Sequence, residues 1–312
     1  MNDLAGQLRI RAGYLQAARD YFREQRVTEV ETSLLNKYPV TDPHITSFRV
    51  NTAMNRPLWL RPSPEYRMKE LLAAGSGDIF EIGKVFRDGE TGRKHLPEFT
   101  MIEWYRLGFE LQDIIDDTVA LLRRLTADRP QPADAVEQMT YCEAFERYTL
   151  LNPLTASGDD FKKRAKSLLG DTLSDHLNDT FSGNRDLWLD LLMSHHIEQQ
   201  FDPDKLTVIT HYPADQAVLA RIDPNDERVA ERFEIYYRGT EVANGFRELT
   251  DAAEQRRRFE KDQDLRREQE QPVPKIDEDF LAALKKGLPE CSGVAVGLDR
   301  LIMCAENLDS IG

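Results

Sequence analysis

The segment Ile79–Arg106, IFEIGKVFRDGETGRKHLPEFTMIEWYR, constrains this chain more than any other stretch. Phe80, Ile82 and Phe86 alternate with other residues before a polar loop, and Glu98 to Arg106 alternates in the same way. Two strands, each with two distinct faces, are therefore predicted on either side of the loop. Gly89 and Gly92 interrupt the pattern, and the loop carries Arg87, Arg93, Lys94 and His95, a cationic tip that suits a phosphate. Period-two spacing puts Phe99, Met101, Glu103 and Tyr105 on one face of the second strand. An aromatic ring, an acid and a phenol on one face suit a ligand better than a core. Taken alone, the segment also fits a surface hairpin with a basic tip.

Three further segments point the same way. Cys291 to Leu308, CSGVAVGLDRLIMCAENL, reads as a short apolar strand, a turn at Gly297 and a helix with Arg300 in its first turn. The positive end of the macrodipole disfavours a cation there by roughly 0.3 to 1 kcal/mol, so an anion is expected to share the site, although Arg300 could also simply pair with Asp299. In Gly239 to Leu249, GTEVANGFREL, Asn244-Gly245 offers a tight hairpin turn that would bring Glu241 and Glu248 together. Two such carboxylates repel unless a cation lies between them, and hard oxygen ligands beside a triphosphate suit Mg²⁺. Upstream, Arg61-Pro62-Ser63-Pro64-Glu65 precedes a helix for which Ser63 is a plausible N-cap, Pro64 the first helical residue and Gly75 the terminator. Glu65 falls in its first turn, where an acid also serves as a plain macrodipole partner.

Composition narrows the function classes. A net charge of −14 with no broad basic stripe argues against a nucleic-acid backbone as a direct partner. The densest cluster, Arg256-Arg257-Arg258, is interleaved with acids at helical spacing and reads as a solvated helix face. Cys142, Cys291 and Cys304 show no paired spacing, which points to a reducing, cytoplasmic compartment. No apolar run approaches membrane-spanning length, so no membrane partner is expected. The N-terminal stretch reads as a charged amphipathic helix, and helices are predicted over Leu111 to Leu125 and over Phe161 to Phe201, the latter with breaks at Gly170 and Ser182-Gly183. Pro272 and Pro274 end the Arg-rich helix before another begins near Asp277. His195-His196 invites a metal reading, but adjacent histidines point to different faces of a helix.

Taken in order, these segments resemble the motifs of the class II aminoacyl-tRNA synthetases, and the string Phe22 to Leu35, FREQRVTEVETSLL, is similar to the family's motif 1. The resemblance implies an α+β fold, an antiparallel sheet flanked by helices. It implies a single catalytic domain over residues 1–312 with helical insertions at about 108–200 and 250–285, and a homodimer formed through motif 1. By match to motif 2, Arg87 grips the α-phosphate of ATP and Phe99 stacks on adenine, with Asp88, Gly89, His95 and Leu96 beside them. By match to motif 3, Arg300 binds the γ-phosphate and Gly297 lets the adenosine approach the backbone. The acidic segment resembles that of the lysyl-tRNA synthetases, in which Glu241 and Val242 would face ATP, Glu241 and Glu248 a metal, and Glu248 the amino acid. Ser63, Pro64 and Glu65 would face the substrate amine, with Glu103 and Tyr105 as further partners.

The motif 1 string begins so near residue 1 that no anticodon-reading OB domain is expected. In this the chain resembles the lysine ligases of elongation factor P, in which Ala295 stands where lysyl-tRNA synthetases have Gly. That methyl would reshape the pocket from lysine toward (R)-β-lysine. The implied chemistry is ATP-dependent formation of an acyl-adenylate, with Mg²⁺, and transfer to a lysine of elongation factor P; Arg87 and Arg300 would be its catalytic residues. Departures fall at Gly89 and Leu96, where the family has Glu and Asn, and at Ser33, where motif 1 has Pro. Two alternatives stay open, a catalytically silent dimeric binding module and a stand-alone lysyl-tRNA synthetase-like enzyme.

Overall fold

The computed structural model describes residues 4–53, 55–131, 133–170 and 185–311. Its frame is an eight-stranded mixed sheet made of β1 (Thr28–Glu29), β5 (Ile79–Phe86), β6 (Glu98–Leu107), β11 (Cys291–Gly297), β10 (Thr240–Arg247), β9 (Val229–Tyr237), β8 (Lys205–Pro213) and β7 (Ala135–Thr140), in that spatial order. The six central strands are antiparallel, as expected, and a parallel pair closes each edge, β1 on β5 and β7 on β8. A small sheet of β2 (Leu35–Asn36), β3 (Arg49–Val50) and β4 (Leu58–Leu60) precedes it in the chain. The stretch 108–200, read from sequence as helical, thus also contributes the edge strand β7.

Helices follow the apolar periodicity. On one face of the sheet, α1 (Leu4–Glu24), α3 (Leu111–Thr126) and α9 (Leu298–Ala305) cover Ile102, Trp104, Phe233, Ile235 and Val294. On the other, α2 (Glu65–Ala73), α7 (Ala252–Glu268) and α8 (Glu278–Gly287) pack one flank. The far flank is packed by α4 (Tyr141–Thr149), α5 (Gly158–Leu169) and α6 (Arg185–Leu192). The central strands between these flanks are left to line a cavity. Gly75 and Gly170 follow α2 and α5 with positive φ, as their predicted roles as terminators require, whereas the expected break at Ser182-Gly183 lies outside the described residues. Helix α2 starts at Glu65, one residue later than expected, and Ser63 Oγ accepts the Glu65 backbone N–H at 3.0 Å.

The Arg-rich helix is solvated only in part: Arg257 is exposed and Arg256 partly so, paired with Glu254 and Glu278 as expected, but Arg258 and the later Arg266 turn inward. Arg266 is buried and donates to the backbone oxygens of Thr41, Asp42 and Ile45, and Arg258 donates to those of Val218 and Ala220. Helix α7 therefore anchors two loops at the cavity rim, a long-range task that local charge alternation cannot reveal.

Asn244-Gly245 is not a turn. Strand β10 runs straight through it, and the reversal lies at Arg238-Gly239, both with positive φ. Glycine at 245 serves packing instead: a Cβ there would overlap the Phe233 ring and lie 2.8 Å from the Gly293 carbonyl oxygen. Gly245→Ala is accordingly expected to lower the stability to chemical denaturation by about 1–3 kcal/mol, the range for an overpacked core. An unchanged midpoint would mean that the strand is not so closely covered.

Candidate active site

Cross-strand register assembles the cavity floor. Glu81, Glu103, Ala295, Asn244 and Glu234 are successive partners across β5, β6, β11, β10 and β9, so one polar row crosses the sheet on the face opposite Ile102 and Trp104. Two residues along, Tyr105, Gly293, Phe246 and Arg232 form the next row. The alternation predicted for Phe99, Met101, Glu103 and Tyr105 is realised, and all four line a cavity of about 860 Å³.

Strand β10 needs an irregularity to contribute. Glu241 and Glu248 are seven residues apart, so a regular strand would point them to opposite faces. A bulge between Glu241 and Ala243 shifts the phase, and Glu241, Asn244, Phe246 and Glu248 all reach the cavity. The two carboxylates nevertheless lie at opposite ends of the strand, separated by roughly 20 Å of extended chain. The expected single ion shared by Glu241 and Glu248 is thereby excluded.

The end beneath α2 is acidic. Lys69 Nζ lies 2.6 Å from Glu65 Oε1 and 2.6 Å from Glu248 Oε2, and Lys69 and Glu248 are each only 1% exposed. Tyr105 donates to Glu103 Oε1 at 2.7 Å. Glu103 Oε2 and Glu248 Oε1 are buried without a hydrogen-bond partner. Gly293 makes room for this cluster, because a Cβ there would overlap both the Tyr105 ring and Glu248 Oε1. Burial, reinforced by the charge of Glu65, pushes Glu103 up to about 8. Burial also lifts Glu248 to about 7, with Lys69 opposing it. Three acids around one ammonium therefore form a site for cationic groups.

The opposite end is cationic. Arg87 donates to Pro62 O at 3.3 Å and to Glu90 Oε1 at 3.4 Å, and its guanidinium lies 5.2 Å from the centre of the Phe99 ring. Arg300 donates to Lys94 O at 3.1 Å and to Glu241 Oε2 at 3.2 Å. Burial and then the charge of Arg300 hold His95 below its usual range. Glu241 is raised by burial and by Glu234, and Glu198 is pushed up to about 8 by burial, Glu234 and Glu241. Glu234 also accepts from Tyr212 at 2.7 Å and from Asn244 at 3.2 Å.

Of the residues singled out from sequence, Ser63, Glu65, Arg87, His95, Leu96, Phe99, Glu103 and Tyr105 line the cavity, as do Glu241, Val242, Glu248, Ala295, Gly297 and Arg300. Pro64, Asp88 and Gly89 lie off its wall, and the Asp88 backbone N–H is bound to Thr46 O. Lys69 and Glu234 escaped the sequence reading, and Asn244 was read as a turn residue and not as part of the site. Lys69, four residues after Glu65 on a helix, looks like an ordinary surface pair, and Glu234 gains its place only through cross-strand pairing.

The family profile for class II tRNA synthetases (D, K and N) matches residues 2–312. The chain belongs to this family. Within it, an elongation factor P–(R)-β-lysine ligase from Avibacterium paragallinarum is 46% identical over 306 residues, covering 96% of this chain and 91% of that protein. Proteins of the same name from Proteus mirabilis and Haemophilus ducreyi are 44% and 43% identical, covering 94% and 96% of this chain and 89% and 90% of theirs. The chain is thus a member of the ligase branch of the class II fold. Among the described residues no helix is long and apolar enough to cross a membrane, and no group of three or more His, Cys, Asp or Glu side chains is arranged to hold a metal.

Carboxyls raised by burial make the stability of the ligand-free protein pH-dependent. Between about pH 5 and 8 the folded chain keeps protons on Glu103, Glu198 and Glu248 that the unfolded chain has already lost, so stability falls as pH rises through that window. Denaturant midpoints across this range are expected to decline and Glu103→Gln to flatten the decline. A rising midpoint in the parent protein would contradict the assigned burial of these acids.

Proposed function

We propose that this chain couples ATP cleavage to the attachment of (R)-β-lysine or lysine to a lysine side chain of elongation factor P. The observation that carries the reading is the two-ended cavity, with unpaired buried carboxylate oxygens at one end and Arg87, Lys94, His95 and Arg300 at the other. A diamino acid lying along β6 places its ammonium groups against Glu65, Glu103, Tyr105 and Glu248, and its carboxylate toward Arg87. Charge-assisted hydrogen bonds of this kind are the strong ones, and a fixed acidic pocket orients the substrate without reorganisation.

The carboxylate oxygen attacks the α-phosphorus of ATP, the bond to the β-phosphate breaks, and pyrophosphate leaves with the electron pair. No base is needed because the nucleophile is already anionic. Arg87 and Arg300 neutralise charge on the phosphates, and Phe99 offers its ring to the adenine. The ε-amine of the acceptor lysine then attacks the acyl carbon, the bond to AMP breaks, and the amine loses a proton as the amide forms. A Mg²⁺ ion suits the phosphate end, where Glu241 and the neighbouring Glu234 repel one another; it would take one or both with phosphate oxygens and supply further charge neutralisation. Glu90, paired with Arg87, takes the place of the acid that the family carries at position 89. A homodimer through residues 22–35 belongs to the same reading, and Leu34 and Leu35 are exposed there.

Intact-mass analysis of elongation factor P after incubation with this protein, Mg-ATP and either amino acid tests the proposal. A gain of one residue, larger with (R)-β-lysine and shifted toward lysine by Ala295→Gly, is expected, and Arg300→Ala should cut the rate by about 10²–10³. No gain with either amino acid from folded protein would favour a silent binding module, and charging of tRNA with lysine would favour a synthetase.

Leu96 faces the cavity where the family has Asn, so Leu96→Asn is expected to lower the Michaelis constant for ATP several-fold by restoring a polar contact worth about 1 kcal/mol. An unchanged constant would remove position 96 from the ATP contacts. The companion change at Gly89 is uninformative, because φ of +83° there strains any side chain.

A further inference from the structure

Lys69 takes no part in the chemistry proposed above, yet its ammonium is one of the most completely enclosed charges among the described residues. It sits at 2.6 Å from one oxygen each of Glu65 and Glu248, and so ties the first turns of α2 to the end of β10. The opposite oxygen of Glu248 has no partner, nor has Glu103 Oε2, and both are buried. Burial favours the protonated form of Glu103 and Glu248 and Lys69 opposes it, so that once all three acids are ionised, one ammonium leaves two negative charges to be met at this end of the cavity.

From this arrangement we infer that Lys69 is a positioning and specificity-determining residue: it holds Glu65 and Glu248 with one oxygen each turned to the substrate, and it cancels one of three charges so that the pocket is matched to a ligand bearing two ammonium groups. The inference rests on the reading of this end as a diamino-acid site and deepens it. Its physical basis is that buried charge must be balanced. A ligand with a single ammonium leaves one carboxylate uncompensated, and a ligand with two leaves none. Geometry acts in the same direction. A carboxylate pinned through one oxygen cannot rotate, so the lone pairs of the other stay aimed at the site. The i to i+4 spacing of Glu65 and Lys69 on α2 fixes the ammonium from within that helix, and the glycine at 293 leaves Glu248 space to reach it.

The test is the ratio of kcat/KM in ATP–pyrophosphate exchange for a diamino acid and its monoamino counterpart. The pairs are (R)-β-lysine with (R)-3-aminohexanoate, and lysine with 2-aminohexanoate. In Lys69→Met, Glu65 and Glu248 lose the ammonium that orients them and Glu103 and Glu248 lose the charge that opposes their protonation, so this ratio is expected to fall about tenfold or more, chiefly through KM for the diamino acid, while KM for ATP moves less than about threefold. A lysine that only stabilised the fold would reduce the yield of active protein and leave the ratio alone. Lys69→Gln, which keeps hydrogen bonds to both carboxylates without the charge, makes the same prediction should the Met variant not fold. An unchanged ratio in either folded variant overturns the role of Lys69 and leaves the function standing. Absence of exchange by the parent protein with both diamino acids overturns the function itself, and this inference with it.

Discussion

One buried ammonium organises the acidic end of the cavity. Lys69 lies between Glu65 and Glu248, which come from a helix and from the far end of a central strand, and it pairs with both. Removing one partner from a buried ion pair costs about 3–5 kcal/mol, because the other charge is left without compensation. The cluster is therefore a joint of the fold as well as a wall of the site. A second enclosed pair does related work nearby. Arg61 and Glu81 are 2.6 Å apart and nearly inaccessible, and both bond to Thr32, so the chain following β1 is fixed against β5. The cavity is bounded by elements locked through charge, while its floor is locked through strand register.

How far the sequence spoke for itself depended on the range of each interaction. The cavity face of β6 was legible because a period of two is a local property, and Phe99 to Tyr105 obey it. The place of Arg300 in the first turn of α9 was legible for the same reason, whereas its contacts with Lys94 and Glu241, in place of Asp299, were not. Asn244-Gly245 misled because the hairpin signal is local whereas the demand on Gly245 is not: the Phe233 ring and the Gly293 backbone, from two other strands, exclude a side chain. The pairing of Glu241 with Glu248 failed with it, and Glu234, on the adjacent strand, proved to be the neighbouring acid.

The Arg-rich helix shows the same limit. Alternating charges at helical spacing describe a solvated surface when only the helix is considered. Arg258 and Arg266 instead reach backbone carbonyls at 218–220 and 41–45, and so hold two rim loops that no apolar contact could anchor so specifically. Guanidinium groups suit this task because several donors diverge from one plane.

The bulge between Glu241 and Ala243 gives β10 two phases within one strand. Before it Glu241 reaches the cavity; after it the even-numbered Asn244, Phe246 and Glu248 do, while Ala243 joins the core beneath. Loss or gain of a single residue between Glu241 and Asn244 would exchange the wet and dry faces of half the strand, sending an acid into the core and an apolar side chain into the site. The length of this strand is thus as tightly determined as its composition: the site can be altered by substitution along either half, but not by insertion or deletion between them.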